Sequence, residues 1–306
     1  MSRILVVGGV NVDLHLFDVH GSGGQAPLVA DRYLAEPGGK GANVARAIAR
    51  LGGDVSLVAR VGDDDFGHLC LETLEADGVD TAGVLITPNT STGFVAISLE
   101  EGLHRSLVYA PGANDLLTWA DVEPHTSGLG AADIVVAQAE VPPDTLTLLA
   151  DHTVASGAGF FVDPTPPERV TAGLLERADV ITPDRAEAAA LVGRHDTSPL
   201  WPRLAAEELL AAGARRVVIK LSERGALLAS DGEMIEVPTL PVRAVDETGA
   251  GDVFMATLAV CRAEGTDWPE AIRIANIASS LSVAQQGLHL PDRTSLDIAV
   301  ESAKGA

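Results

Sequence analysis

The sequence predicts a single α/β domain over residues 1–306, and three features carry that prediction. Residues 4–10 form a short, continuous apolar run closed by glycines, as a strand buried on both faces requires. Short apolar runs then alternate with helical patterns along most of the chain, the order that builds a parallel sheet covered by helices. Two stretches, residues 14–35 and 92–110, break this rhythm with alternating polarity and read as hairpins outside the main sheet.

Behind the first strand comes Gly8-Gly9-Val10-Asn11-Val12-Asp13. A dinucleotide fingerprint would open a helix here, but Asn11 and Asp13 alternate with Val12 and Leu14, which reads as extended chain. Both polar groups then project from one face, where they could grip vicinal hydroxyls of a sugar; ordinary turn polarity after a strand fits them too. The first hairpin pairs residues 14–19 with 28–35 across Gly21-Ser22-Gly23-Gly24. Glu36-Pro37-Gly38-Gly39-Lys40-Gly41-Ala42-Asn43 next opens a helix that runs through residues 44–51 and stops at Gly52-Gly53. Glycines at 38, 39 and 41 allow a ligand to approach the backbone, while Lys40 and Asn43 supply donors.

A strand at 55–61, a helix at 66–77 and a strand at 84–88 follow. The second hairpin joins 92–99 to 103–110 through Glu101-Gly102 and completes a small lid with the first. Strands at 134–137 and 159–162 leave Glu140 and Asp163 just beyond their carboxyl ends, where open α/β sheets bind ligands. After the strand at 180–181, Asp184 and Glu187 share the first turn of a helix; they could hold Mg²⁺ through water or simply cap the helix. Residues 216–228 form a strand, a turn and a strand, a turn that could floor a nucleotide base, and helices at 269–286 and 296–304 end the chain.

The stretch Val245-Asp246-Glu247-Thr248-Gly249-Ala250-Gly251-Asp252-Val253-Phe254, with a strand-like approach over 241–245, reads as the floor of a phosphate-transfer site. Small residues at 249–251 leave backbone N–H groups uncovered at a helix start, whose partial positive charge suits a phosphoryl group in transfer. Asp252, in the first turn, could accept a proton from an attacking hydroxyl. Alone, Gly-Ala-Gly-Asp also fits a tight turn with a capping Asp. No Gly-Lys-Ser/Thr follows these glycines, so a P-loop is excluded.

A formal net charge of −22 argues against nucleic acid and anionic membrane surfaces as partners. Only three lysines occur, Lys40, Lys220 and Lys304, and the first two stand in motif-like contexts. Cys70 and Cys261 sit in apolar helical patterns and fit buried thiols, and neither a signal-peptide pattern nor a membrane-length apolar run is present, so a cytoplasmic protein is expected.

Taken together, Gly38-Gly39-Lys40-Gly41-Ala42-Asn43 and Asp246-Glu247-Thr248-Gly249-Ala250-Gly251-Asp252, with Gly9-Val10-Asn11-Val12-Asp13, Gln138-Ala139-Glu140 and Thr182-Pro183-Asp184-Arg185-Ala186-Glu187 between and before them, resemble the ribokinase or PfkB family of carbohydrate kinases over nearly the whole chain. The pattern lies nearer the ribokinase branch than the fructokinase or phosphofructokinase branches, and the lid offers few cations (Arg32, His104, Arg105) for a substrate phosphate. The resemblance implies a three-layer α/β/α fold with a small β lid (segments about 13–37 and 88–110) through which a homodimer forms. It implies an ATP- and Mg²⁺-dependent kinase acting on the primary hydroxyl of a sugar, ribose above all. Asp252 becomes the general base, with the amides of Gly249, Ala250 and Gly251 as anion hole. Asn11, Asp13, Gly39, Lys40, Gly41, Asn43 and Glu140 become sugar contacts. Asp184, Lys220, Ser222, Glu223, Arg224, Gly225, Gly251 and Asn276 fall around the nucleotide, and Glu187 near Mg²⁺. A monovalent cation, K⁺, maps to Asp246, Thr248, Ser282, Gln285 and Gly287, although Pro291 stands where a ribokinase has serine. Asp184, where the family usually has Asn, and Met255-Ala256 after the turn are further departures. Two other readings stay open: a nucleoside kinase of the same fold, suggested by Phe161-Val162-Asp163-Pro164, and a non-catalytic sugar-binding sensor, against which Asp252 argues.

Overall fold

The computed structural model describes residues 2–21, 27–100, 103–194, 198–230 and 232–304. The chain opens with β1 (Arg3–Val7), β2 (Asn11–Phe17), β3 (Arg32–Gly38), α1 (Lys40–Arg50), β4 (Asp54–Gly62), α2 (Asp65–Ala76), β5 (Asp80–Thr87), β6 (Gly93–Glu100) and β7 (Leu103–Ala110). Its middle holds α3 (Trp119–Val122), β8 (Ile134–Gln138), α4 (Pro143–Ser156), β9 (Gly159–Asp163), α5 (Ala172–Arg177), β10 (Val180–Ile181), α6 (Arg185–Val192) and α7 (Trp201–Ala211). β11 (Arg216–Lys220), β12 (Ala226–Ser230), β13 (Glu233–Val237), α8 (Ala250–Ala263), α9 (Trp268–Val283) and α10 (Arg293–Lys304) complete it.

Nine strands form the main sheet in the order β13-β12-β11-β10-β9-β8-β1-β4-β5. From β5 to β11 neighbours are parallel, and β12 and β13 add an antiparallel edge. Alternate residues of each strand bury against opposite helix layers, which is why these strands read as unbroken apolar runs. Val6, Val136, Phe161 and Val218 pack with residues of α1, α2, α8, α9 and α10. Leu5, Val135, Phe160 and Val162 pack with α4 and α5, while Ile181, Val217 and Ile219 pack with α6 and α7. Each fully buried Leu, Ile or Phe contributes about 1.5–3 kcal/mol to that assembly. The architecture is the three-layer α/β/α fold, and no described helix is long and apolar enough to cross a membrane.

A second, four-stranded sheet has the order β3-β2-β6-β7. β2–β3 and β6–β7 are antiparallel pairs, and parallel pairing of β2 with β6 joins them into one sheet. Ser22, Gly23, Gly24, Glu101 and Gly102, assigned to turns, lie outside the described residues, as do the side chains of His104 and Arg105.

The strand-like approach over residues 241–245 is not a strand. The edge beyond β12 is taken by β13, which the sequence reading missed, and the N–H groups of Val245 and Asp246 donate instead to the Val283 carbonyl at the end of α9. Val245 is consequently exposed.

Candidate active site

The main sheet reverses its winding direction between β1 and β8, and the crevice beyond their carboxyl ends is where such sheets hold ligands. Gly9 follows β1 and Glu140 follows β8. A Cβ on Gly9 would lie 2.2 Å from Glu140 Oε2, so only glycine lets that carboxylate occupy the crevice. Glu140 is buried, its Oε2 has no hydrogen-bond partner among the described residues, and burial pushes its carboxyl up to about 7; Lys40 opposes the shift and Asp252, Asp163 and Asp13 add to it. Asp13, on β2 opposite Glu36, is likewise pushed up to about 6 by burial, His15 opposing and Asp252 and Glu36 adding. Asn11 is buried and its Oδ1 accepts from Asn114 Nδ2 at 2.8 Å, while Asn114 Oδ1 accepts the Val10 N–H at 2.9 Å. Asn114 is a residue that sequence reasoning missed; it anchors Asn11 from a short 3-10 helix, Gly112–Leu116, far along the chain.

Asp252 sits in the first turn of α8, whose N-cap, Gly249, takes a left-handed conformation (φ 73°) that favours glycine. Its carboxylate is clasped on both sides: Lys40 Nζ donates to Oδ1 at 3.0 Å and Asn43 Nδ2 to Oδ2 at 2.8 Å. The first turn of α1 therefore meets the first turn of α8, and Lys40 and Asn43, expected on the sugar, touch the expected base. Asn43 Oδ1 is buried with no partner among the described residues. Of the three expected anion-hole amides, that of Ala250 donates to the Glu247 carbonyl at 3.2 Å, while those of Gly249 and Gly251 have no backbone acceptor among the described residues. Gly39 and Gly41 lie against the loop after β1, within 3 Å of its backbone if given a Cβ.

Asp163, noted only as following its strand, occupies the centre. Its Oδ2 receives Lys40 Nζ and Lys220 Nζ, each at 3.4 Å, and its Oδ1 receives the Thr165 N–H at 3.1 Å. Burial alone would raise its pKa, but the two ammonium groups hold it well below the ordinary carboxylate range. Burial likewise disfavours charged Lys40, yet Asp163, Asp252 and Glu187 keep its pKa well above normal.

A cleft of about 760 Å³ runs from Lys40 and Asp252 along the start of α8. Asp184, Glu187, Lys220, Ser222, Glu223 and Gly225 line one wall, with Gly249, Ala250, Gly251 and Asn276 on the other. Lys220 Nζ lies 3.2 Å from the position of a Cβ on Gly251. Arg224 is not brought in: its guanidinium pairs with Glu236 of β13 at 3.1 Å, a contact across the strand pair that the turn alone does not disclose. Asn276 spends its amide on the Val237 and Pro238 carbonyls and so shapes the wall. Thr239, Ser279 and Ser280 also line the cleft and were missed.

For divalent metal, Asp184 and Glu187 form the reciprocal capping box that the sequence left open, each carboxylate accepting the other's N–H at 2.7 Å. Glu187 also accepts the Thr165 hydroxyl. Among the described residues no three His, Cys, Asp or Glu side chains gather as a metal site. Such a wall fits Mg²⁺ carried by a triphosphate and its waters. At the expected monovalent site, Asp246 accepts the Thr248 N–H at 2.9 Å and the Gly287 N–H at 3.0 Å. Burial works against its charge, but these donors and His15 keep its pKa low. Ser282 Oγ is buried with no partner among the described residues, while the Gln285 N–H donates to the Ser282 carbonyl. The ionised Asp246 carboxylate keeps a lone pair on each oxygen and so fits a cation, and Ser282 is next in the chain to Val283, whose carbonyl takes the Asp246 N–H.

A family model for pfkB family carbohydrate kinases matches residues 1–294. The ribokinase of Bacillus subtilis (strain 168) is 32% identical over 299 residues, covering 97% of this chain and 99% of that protein. The crystal structure of a ribokinase from Thermotoga maritima superposes with a TM-score of 0.88 at 30% identity, covering 98% of this chain and 100% of that one. The structure of Arabidopsis thaliana ribokinase complexed with ribose and ATP gives a TM-score of 0.87 at 28% identity, covering 98% and 99%.

Proposed function

The chain belongs to the pfkB family of carbohydrate kinases and is a sugar kinase of ribokinase type, and we propose that it transfers the γ-phosphoryl group of ATP to the primary hydroxyl of ribose. The observation that carries the proposal is the Asp252 carboxylate, held by Lys40 and Asn43 in the first turn of α8 where the cleft begins. In this reading the sugar rests on Asn11, Asp13, Gly39, Gly41 and Glu140, with Lys40 and Asn43 between it and the base. As the hydroxyl oxygen bonds to the γ-phosphorus, its proton passes to Asp252; the bond from phosphorus to the bridging oxygen breaks, and ADP leaves with that electron pair. The N–H groups of Gly249 and Gly251, at the positive end of α8, face the developing charge, joined by that of Ala250 once it leaves the Glu247 carbonyl. Lys220 steadies the phosphates. Glu187 would hold Mg²⁺ through water, and the ion would supply neutralisation of phosphate charge. K⁺ would be held by Asp246, the Thr248 carbonyl, Ser282, and the Gln285 and Gly287 segment.

We read the four-stranded sheet as a lid over the sugar, and its exposed apolar residues Tyr33, Leu107 and Val108 as the homodimer contact. Light scattering of Tyr33→Glu and Val108→Glu tests this: a wild-type monomer refutes it.

A coupled ADP-release assay over pentoses, hexoses, keto-sugar acids and nucleosides tests the substrate. Ribose should turn over best. Turnover with no member sinks the kinase reading in favour of a sensor, and a nucleoside preference replaces ribose. Phe161 gives the nucleoside reading no support, because its ring packs on Trp268, 5.6 Å between centroids, inside the core.

A further inference from the structure

We propose that Asp163 is a positioning residue that couples the sugar half of the cleft to its nucleotide half. Among the described residues it is the one carboxylate in contact with both cleft lysines. Lys40 comes from α1 and also reaches Asp252 at 3.0 Å; Lys220 comes from β11 and also lies 3.9 Å from Glu187. Both ammonium groups share a single oxygen, Oδ2, at 3.4 Å each. Charge-assisted bonds settle at about 2.7–2.9 Å, so each lysine is held at less than full strength while the other is present. Asp163 itself cannot move away. It is 1% exposed, lies in register with Gln138 of the neighbouring strand, and is fixed by the Thr165 N–H on its other oxygen. No flanking side chain substitutes for it, since Gln138 and Thr182 beside it on the sheet edge are neutral.

The direction of coupling follows. A triphosphate that draws Lys220 toward its own oxygens leaves Oδ2 to Lys40 alone. Lys40 then closes on Asp163 and is fixed beside Asp252 and the sugar pocket. Nucleotide should therefore tighten sugar binding, and sugar should tighten nucleotide binding by the same factor.

This coupling presupposes the kinase reading, and calorimetry separates the two. Ribose is titrated into the wild type, Asp163→Asn and Lys220→Met, with and without a non-hydrolysable ATP analogue and Mg²⁺. The wild type should bind ribose about 5- to 150-fold more tightly with the analogue. In Asp163→Asn that ratio should fall toward unity, and likewise in Lys220→Met, with no further fall in the double variant. If Asp163 only supports the fold, both affinities shift together and the ratio stays at its wild-type value, which overturns the coupling and leaves the kinase reading intact. Should Asp163→Asn fail to fold, an unchanged ratio in Lys220→Met overturns it equally. A wild type whose ratio is already unity refutes it as well, and a wild type that binds no ribose sinks both readings.

Discussion

Replacing Asp252 by Asn removes the proposed base while leaving a side chain of the same shape, and the geometry around it says what else changes. The two donors now on the carboxylate are Lys40 Nζ and Asn43 Nδ2. An Asn at 252 with its oxygen toward Lys40 turns its amide nitrogen toward Asn43, donor against donor. Asn43 has a remedy, because its own Oδ1 has no partner among the described residues and a flip of its amide presents that oxygen instead. One charge-assisted hydrogen bond is then replaced by a neutral one, with the Asn43 amide nitrogen taking the unpartnered place its oxygen held, and the stability lost is about 1–2 kcal/mol. Lys40 keeps Asp163 as counter-ion. The variant should fold, bind ribose and ATP within a few-fold of wild type, and lose about 10²–10⁴ in kcat for want of a general base. Calorimetry for both ligands and steady-state ADP release measure the two sides. Parallel losses in binding and rate would make Asp252 a structural cap, as would a kcat within a few-fold of wild type.

Glu140→Gln and Asp13→Asn should each weaken ribose binding by the ~1.5–3 kcal/mol of a charge-assisted hydrogen bond while leaving ATP affinity unchanged; unaltered ribose titrations would remove them from the site. Because both carboxyls are raised, Glu140 to about 7 and Asp13 to about 6, the sugar-free protein is partly protonated there, and ribose affinity should rise with pH through that range. The same two groups make the folded state bind protons that the unfolded chain releases at 4.5 and 3.8, so their contribution to stability should fall as pH rises from there toward their folded values; pH-independent ribose binding would refute the shifts. K⁺ should activate over Na⁺ at matched ionic strength, through kcat or ATP affinity, by neutralising Asp246 beside the 249–251 amides; identical rates would leave Asp246 as the turn-forming residue its bonds to Thr248 and Gly287 already make it.

The fold was legible where its causes are local. The run at 4–10 must be buried on both faces whatever follows it, and the glycines after α1 stop that helix without reference to any distant residue. Residues 241–245 have the composition of a strand too, but a strand also needs a free sheet edge, and β13 had already taken it. Arg224, expected near the nucleotide, is drawn to a partner of the same non-local kind. Its place in a turn beside the cleft is local, while the pull of Glu236 comes from a neighbouring strand that the sequence reading did not detect.

Asp163 shows what separates a visible candidate from a visible role. Its position at the carboxyl end of β9 marks it as ligand-facing in the same way as Glu140, yet its partners lie 123 and 57 residues away, and no periodicity joins them. The signal that was available is scarcity. In a chain of net charge −22 with three lysines, an ammonium group is surrounded by acidic residues with which it could pair at the surface. Burying one requires a carboxylate buried with it, since an unpaired buried charge would titrate away. Lys40 opens α1, whose first turn lies against the loop after β1, Lys220 ends β11, and the sheet order puts β9, with Asp163 at its carboxyl end, between β1 and β11. The convergence of Lys40 and Lys220 on one oxygen is thus a consequence of strand order, a property that becomes readable only when the sheet has been assembled.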